Sequence, residues 1–173
     1  MPFKVCCIQD MAEAEMAIEA GATAIGLVGP MPSGPGIIDL ETAAQIVKAV
    51  AGNVDTFFLC SAQSVDEISR QHEQVGSTHI QLVDQVEDDV YGTLKSRFPE
   101  LQIVQVVHVV DSLSVKLAVG AAGYADALLL DSGNPKLQTK ILGGTGNTHN
   151  WEFSSDIVRK AGIPVWLAVS SMD

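Results

Sequence analysis

Asp131 closes an apolar run, Ala127-Leu128-Leu129-Leu130, and the cluster Gly143-Gly144-Thr145-Gly146 follows it. A buried strand that delivers a carboxylate at its C-terminal end can carry proton-transfer chemistry. A glycine turn with open backbone N–H groups can hold a phosphate. Near the start of the chain, the apolar run Phe3-Lys4-Val5-Cys6-Cys7-Ile8 brings a thiol, Cys6, to an equivalent place. Together the three fit acid–base chemistry on a phosphorylated small molecule. Each also has a plainer reading: a free cysteine as a small buried hydrophobe, the aspartate as a loop cap, the glycines as an ordinary loop. Cys60, at the end of another apolar run, reads as structural.

Those groups need strands to present them, and the chain predicts seven, at residues 3–8, 23–28, 55–60, 78–83, 102–109, 125–130 and 163–169. Several successive starts lie roughly 20–25 residues apart, the spacing of parallel strands joined through helices. Near-continuous apolar runs such as Ile103-Val104, Val106-Val107 and Val109-Val110 are what strands covered on both faces look like. Asp10 with Glu13, and Ser64 with Glu67, form capping-box-like starts, and Asp39 and Asp111 are further N-caps. Gly21, Gly52, Gly76 and Gly162 lie where the helices stop. Residues 86–97, 112–122 and about 153–161 complete the six helices. The insertions at 29–38 and 131–149 follow strands, on the side where α/β folds place ligands. The class is therefore α/β, a TIM-type (β/α)8 barrel that is incomplete. It forms a single domain over 1–173, with the last βα unit missing.

The 173-residue chain is long enough for a sizeable core. Its formal net charge of −11 argues against nucleic acid and against anionic membrane surfaces. No apolar stretch approaches the ~20 residues of a membrane span, and the N-terminus lacks a secretory signal. Three cysteines, two of them adjacent, do not suit an ordinary structural disulfide, so a reducing cytoplasm is expected. On a strand, Cys6 and Cys7 point to opposite faces. His72, His79, His108 and His149 are scattered without metal-ligand spacing, and no cofactor is expected.

Lys4-Val5-Cys6 followed by Ile8, Ala20-Gly21-Ala22 with Ala24-Ile25-Gly26, Gln81-Leu82, Leu129-Leu130-Asp131, Gly143-Gly144-Thr145-Gly146, Trp151 and Pro164-Val165-Trp166-Leu167-Ala168 occur in a telling order. It is the order of phosphoribosylanthranilate isomerase, and the chain resembles a divergent, C-terminally truncated member of that family. The resemblance implies an Amadori rearrangement of N-(5-phosphoribosyl)anthranilate in tryptophan biosynthesis, needing neither metal nor redox cofactor. It implies Cys6 as general base and Asp131 as general acid. Gly143, Gly144, Thr145, Gly146 and Gln81 would contact substrate and phosphate. As a base, Cys6 needs thiolate character, below the ~8.5 of a free thiol.

Four departures from the family pattern bear on substrate more than on reaction class. Cys7 stands where the family has glycine. Gly36 aligns with the arginine of a Ser-Pro-Arg motif that grips the anthranilate end, a charge-assisted contact worth about 1.5–3 kcal/mol. Val83-Asp84 replaces His-Gly, and Ser170-Ser171 replaces a Gly-Gly pair. Two alternatives follow. One is a catalytically impaired or inactive homologue that binds a phosphorylated small molecule and self-associates as a homo-oligomer through open barrel edges. The other is an isomerase for a different phosphorylated aminosugar.

Overall fold

The computed structural model describes residues 2–131 and 151–168. Among them, seven strands alternate with six helices: β1 (Lys4–Val5), α1 (Met11–Glu19), β2 (Ala24–Val28), α2 (Leu40–Val50), β3 (Asp55–Cys60), α3 (Val65–Val75), β4 (His79–Leu82), α4 (Asp88–Arg97), β5 (Gln102–His108), α5 (Ser112–Ala121), β6 (Ala127–Asp131), α6 (Trp151–Ala161) and β7 (Val165–Leu167). The order is the predicted one. The edges differ: β1 stops at Val5, short of the expected residue 8, and α6 begins at Trp151. The chain divides into two compact units, Met1–Gln102 and Ile103–Asp173.

In the first unit β1 to β4 pair in chain order and in parallel, with Lys4 opposite Ala24, Gly26 opposite Phe57, Phe57 opposite His79 and Leu59 opposite Gln81. β2 is buried at all five positions, as a strand covered on both faces must be. Ala43, Ile46, Val47 and Val50 form the buried stripe of α2, and Ile68 and Val75 lie on that of α3. Phe57 and Phe58 are fully buried, and their period-2 alternation sends them to opposite faces of the sheet.

The helix starts are held as the sequence implies. Asp10, Asp39 and Ser64 accept from the backbone N–H groups of Glu13, Thr42 and Glu67. The Glu13 carboxylate caps one residue earlier than a standard box, accepting from the Gln9 N–H at 2.7 Å. Gly76 ends α3 in the left-handed region, at φ +69°.

In the second unit β5 pairs with β6 and β6 with β7, again in parallel, with Val107 opposite Leu130 and His108 opposite Asp131. Its core joins Val107, Leu128 and Leu130 from the strands, and Val109 just past β5, to Ala118 of α5 and Ile157 of α6. Asp111 makes a complete capping box with Ser114 at the start of α5.

Candidate active site

Cys6 and Cys7 lie just past the end of β1. Cys7 has φ +62°, a left-handed backbone that a residue with a Cβ adopts only at a cost of roughly 1–2 kcal/mol. The strand alternation expected for the two cysteines therefore does not extend to Cys7. Its Cβ packs against Gly36, in the segment after β2. A Cβ built on Gly36 would stand 2.8 Å from the Cys7 Cβ and 3.0 Å from its carbonyl oxygen. With φ +66° at Gly36 as well, the position has neither the space nor the backbone for a side chain while Cys7 is present. The strain at Cys7 is testable. Cys7→Gly is expected to melt no lower than the parent, and Cys7→Val to lose about 1–2 kcal/mol, since a β-branched residue tolerates this φ worst. Equal melting of the two variants in denaturant would contradict it.

Cys6 is exposed, and its Sγ lies over Gly26 of β2, where an added Cβ would come within 2.9 Å of the sulfur. Glycine at 26 leaves room for the thiol. Two residues earlier, the Lys4 ammonium donates to the Gln81 Oε1 of β4 and sits 4.5 Å above the Phe57 ring of β3. Phe57 in turn stacks on His79, centroids 4.2 Å apart and planes 5° from parallel. Burial pushes the Lys4 ammonium below the usual lysine range, and Cys6 and then Cys7 act in the opposite direction, favouring the charged form. Gln81, expected to contact substrate, is buried and engaged by Lys4.

Asp131 is the last residue of β6 and is buried, following Leu128, Leu129 and Leu130. Its backbone carbonyl accepts from Val109, and its Oδ2 lies 3.5 Å from the Nδ1 of His108, the residue opposite it on β5. That is ion-pair range when the imidazole is protonated. Asp131 thus has a specific polar neighbour at the carboxyl end of the strand.

Cys60 is inside, as expected of a structural thiol. Its Sγ donates to Gln71 Oε1 at 3.3 Å, and burial pushes the thiol up to about 11. Unfolded, it titrates near 9.0, so between pH 9 and 11 the unfolded chain releases a proton that the folded chain retains. The contribution is present below pH 9 and is lost as pH rises. Cys7, raised by burial, and Tyr91, pushed up to about 12, act in the same sense. Melting temperature is therefore expected to fall above pH 9, and less steeply in Cys60→Ala. Identical slopes between pH 9 and 10 would contradict the assignment to Cys60.

Gly143, Gly144, Thr145 and Gly146 lie outside the described residues. Among the described residues no three His, Cys, Asp or Glu side chains are grouped to hold a metal, and no helix is long and apolar enough to cross a membrane. Sequence reading missed Lys4, Phe57 and His108 as neighbours of the candidate groups. For Lys4 a signal existed, a lone cation two residues before Cys6 and hence on the same strand face.

No family model matches the chain. Curated relatives do. An N-(5'-phosphoribosyl)anthranilate isomerase 2 of Methanosarcina mazei is 31% identical over 169 residues, covering 97% of this chain and 74% of the relative. An N-(5'-phosphoribosyl)anthranilate isomerase of Haloarcula marismortui is 30% identical over 166 residues, 95% of this chain and 73% of its own. Among solved structures, the same isomerase from Pyrococcus furiosus superposes on 96% of the chain and 76% of itself, with TM-score 0.74 and 25% identity. A further phosphoribosyl anthranilate isomerase, solved in complex with reduced 1-(o-carboxyphenylamino)-1-deoxyribulose 5-phosphate, covers 76% of this chain and 64% of itself at TM-score 0.67 and 21% identity. The fold is that of the TIM-type (β/α)8 barrel, incomplete among the described residues, which hold seven of the eight strands. With this kinship running over nearly its whole length, the chain belongs to the N-(5'-phosphoribosyl)anthranilate isomerase family.

Proposed function

We propose that the chain catalyses the Amadori rearrangement of N-(5-phosphoribosyl)anthranilate in tryptophan biosynthesis, with Asp131 as general acid and Cys6 as general base. The observation that carries the reading is the position of the two groups. Each stands at or just beyond the carboxyl end of its own strand, where (β/α)8 enzymes keep their chemistry, in a chain related to these isomerases along its length. Asp131 protonates the ribose ring oxygen, and the C1–O bond breaks to give a protonated imine. Cys6 removes the proton from C2, its electron pair forming the enolamine, which tautomerises to the ketone. Gly143, Gly144, Thr145 and Gly146 supply backbone N–H groups to the phosphate. The complex of a relative with a ribulose 5-phosphate derivative supports a phosphorylated ligand. Three free thiols fit a reducing cytoplasm.

The test is turnover of freshly generated phosphoribosylanthranilate by the purified chain, followed as loss of its fluorescence against Asp131→Asn. Turnover above that blank is the expected result. None from a folded protein would overturn the assignment.

A second reading, an isomerase for another phosphorylated aminosugar, is favoured by one feature. Cys7 fills the space at Gly36, where the family pattern places its arginine. Turnover confined to other phosphorylated aminosugars in a substrate screen would favour it.

A further inference from the structure

At the carboxyl ends of β5 and β6 two polar side chains stand on rows of apolar ones. The strands pair with Val104 opposite Ala127, Val106 opposite Leu129 and then His108 opposite Asp131. Alternation puts these rows on one face of the sheet. Val107, Leu128 and Leu130, which lie between them, pack on the other face with Ala118 of α5 and Ile157 of α6. Val104, Val106, Ala127 and Leu129 are all buried, so the polar pair rests on an apolar floor. The side chains of His108 and Asp131 are themselves only 13% and 9% exposed.

His108 Nδ1 is buried and has no hydrogen-bond partner among the described residues, and it lies 3.5 Å from Asp131 Oδ2. That is about half an ångström longer than an ordinary N–H···O bond. Hydrogen bonds of catalytic groups are often this long in a free enzyme and tighten in its complexes. A buried nitrogen left unpaired is costly, which favours closing the gap.

We propose that His108 is a positioning residue for Asp131: its Nδ1–H donates to Oδ2, which leaves Oδ1 to hold the proton and deliver it. The pairing stands on the register of β5 and β6, and its part in turnover rests on the reading of Asp131 as general acid. The imidazole acts in its neutral form, through the tautomer with its proton on Nδ1. As the proton passes from Oδ1 to the ribose ring oxygen, Asp131 becomes a carboxylate. The same N–H then donates to a charged oxygen, and the bond strengthens. Its contribution therefore belongs to the transition state and not to substrate binding.

Two measurements test this, and the first needs no substrate. Two-bond proton–nitrogen correlation spectra of the histidine rings, at about pH 8 where a free imidazole is neutral, show which nitrogen carries the proton. The His108 ring, identified by its loss in His108→Asn, is expected as the Nδ1–H tautomer, and as the Nε2–H tautomer in Asp131→Ala. An Nε2–H ring in the parent, or a tautomer unchanged in Asp131→Ala, would overturn the proposal. In turnover of phosphoribosylanthranilate, His108→Leu is expected to lower kcat about tenfold with KM near the parent value, the difference between hydrogen bonds to a charged and to a neutral oxygen. His108→Asn carries an amide N–H in the place of Nδ1–H and should recover most of that loss. His108→Gln, whose amide falls nearer the Nε2 position, should not. A role in packing alone would favour leucine over asparagine. His108→Leu at the parent kcat, or folded His108→Asn no faster than His108→Gln, would sink the assignment. A parent without turnover whose His108 keeps the Nδ1–H tautomer would instead remove Asp131 as the acid and leave the pairing intact.

Discussion

On the proposed reading, Cys6→Ser and Asp131→Asn are each expected to lower kcat for phosphoribosylanthranilate by about a thousandfold, within the range of a lost general acid or base, with KM near the parent value. Serine keeps the shape of the side chain with a slightly smaller atom, but a hydroxyl is a far weaker acid than a thiol, so it stays protonated at neutral pH and cannot take the C2 proton. Cys6 is exposed, and the smaller oxygen meets no new contact above Gly26, so the fold should not notice. Asparagine is isosteric with Asp131 and remains beside His108, but its amide N–H groups are far too weakly acidic to transfer a proton to the ring oxygen. Neither residue is assigned to the phosphate, which is why binding is spared. Because the acid and the base serve successive steps of one reaction, the double variant should lose far less than the product of the two single losses. Either single variant retaining kcat within tenfold of the parent would remove that residue from its role.

Gly29→Ala is expected to destabilise the chain by about 3 kcal/mol, near the upper end of overpacking costs, and to lower its melting temperature by roughly 6–12 °C. Gly29 follows β2 directly, and its N–H donates to the Leu59 carbonyl of β3 at 3.0 Å. A Cβ there would lie 2.3 Å from Cζ and 2.8 Å from Cε2 of Phe58, and 2.9 Å from the Leu59 oxygen. Phe58 is fully buried and has nowhere to swing, and the carbonyl belongs to a paired strand. The backbone would have to move instead. Gly92, within α4, is the control. Nothing lies within 4 Å of a Cβ added there, so Gly92→Ala should stabilise by about 0.5–1 kcal/mol. Chemical denaturation separates the two. A Gly29→Ala protein as stable as the parent would show that the contact between the residue after β2 and Phe58 is soft.

Most of the architecture was legible because it is local. The helix caps at Asp10, Asp39, Ser64 and Asp111, the left-handed stop at Gly76 and the seven apolar runs are each set by a few neighbouring residues, and all are present. The failures come where geometry is decided at a distance. β1 is only Lys4–Val5 because the backbone turns left-handed at Cys7, and no local signal marks that turn at a cysteine. Lys4 reaches Gln81, 77 positions away, through strand register. His108 meets Asp131 for the same reason. Cys6 and Asp131 were singled out by resemblance as much as by chemistry. Alone, a thiol and a carboxylate after apolar runs fit several uses.

The close packing of Cys7 on Gly36 makes the two positions epistatic. A Cβ at 36 would stand 2.8 Å from the Cβ of Cys7, so a side chain at one position bears on what the other can hold. Replacing Cys7 by glycine removes only one of the close contacts, because the residue 7 carbonyl oxygen at 3.0 Å and Cα at 3.1 Å also face a Cβ at 36, and φ +66° there still disfavours a side chain. Substitution at 36 therefore requires the backbone at 7 and 36 to move together, whatever side chain residue 7 carries.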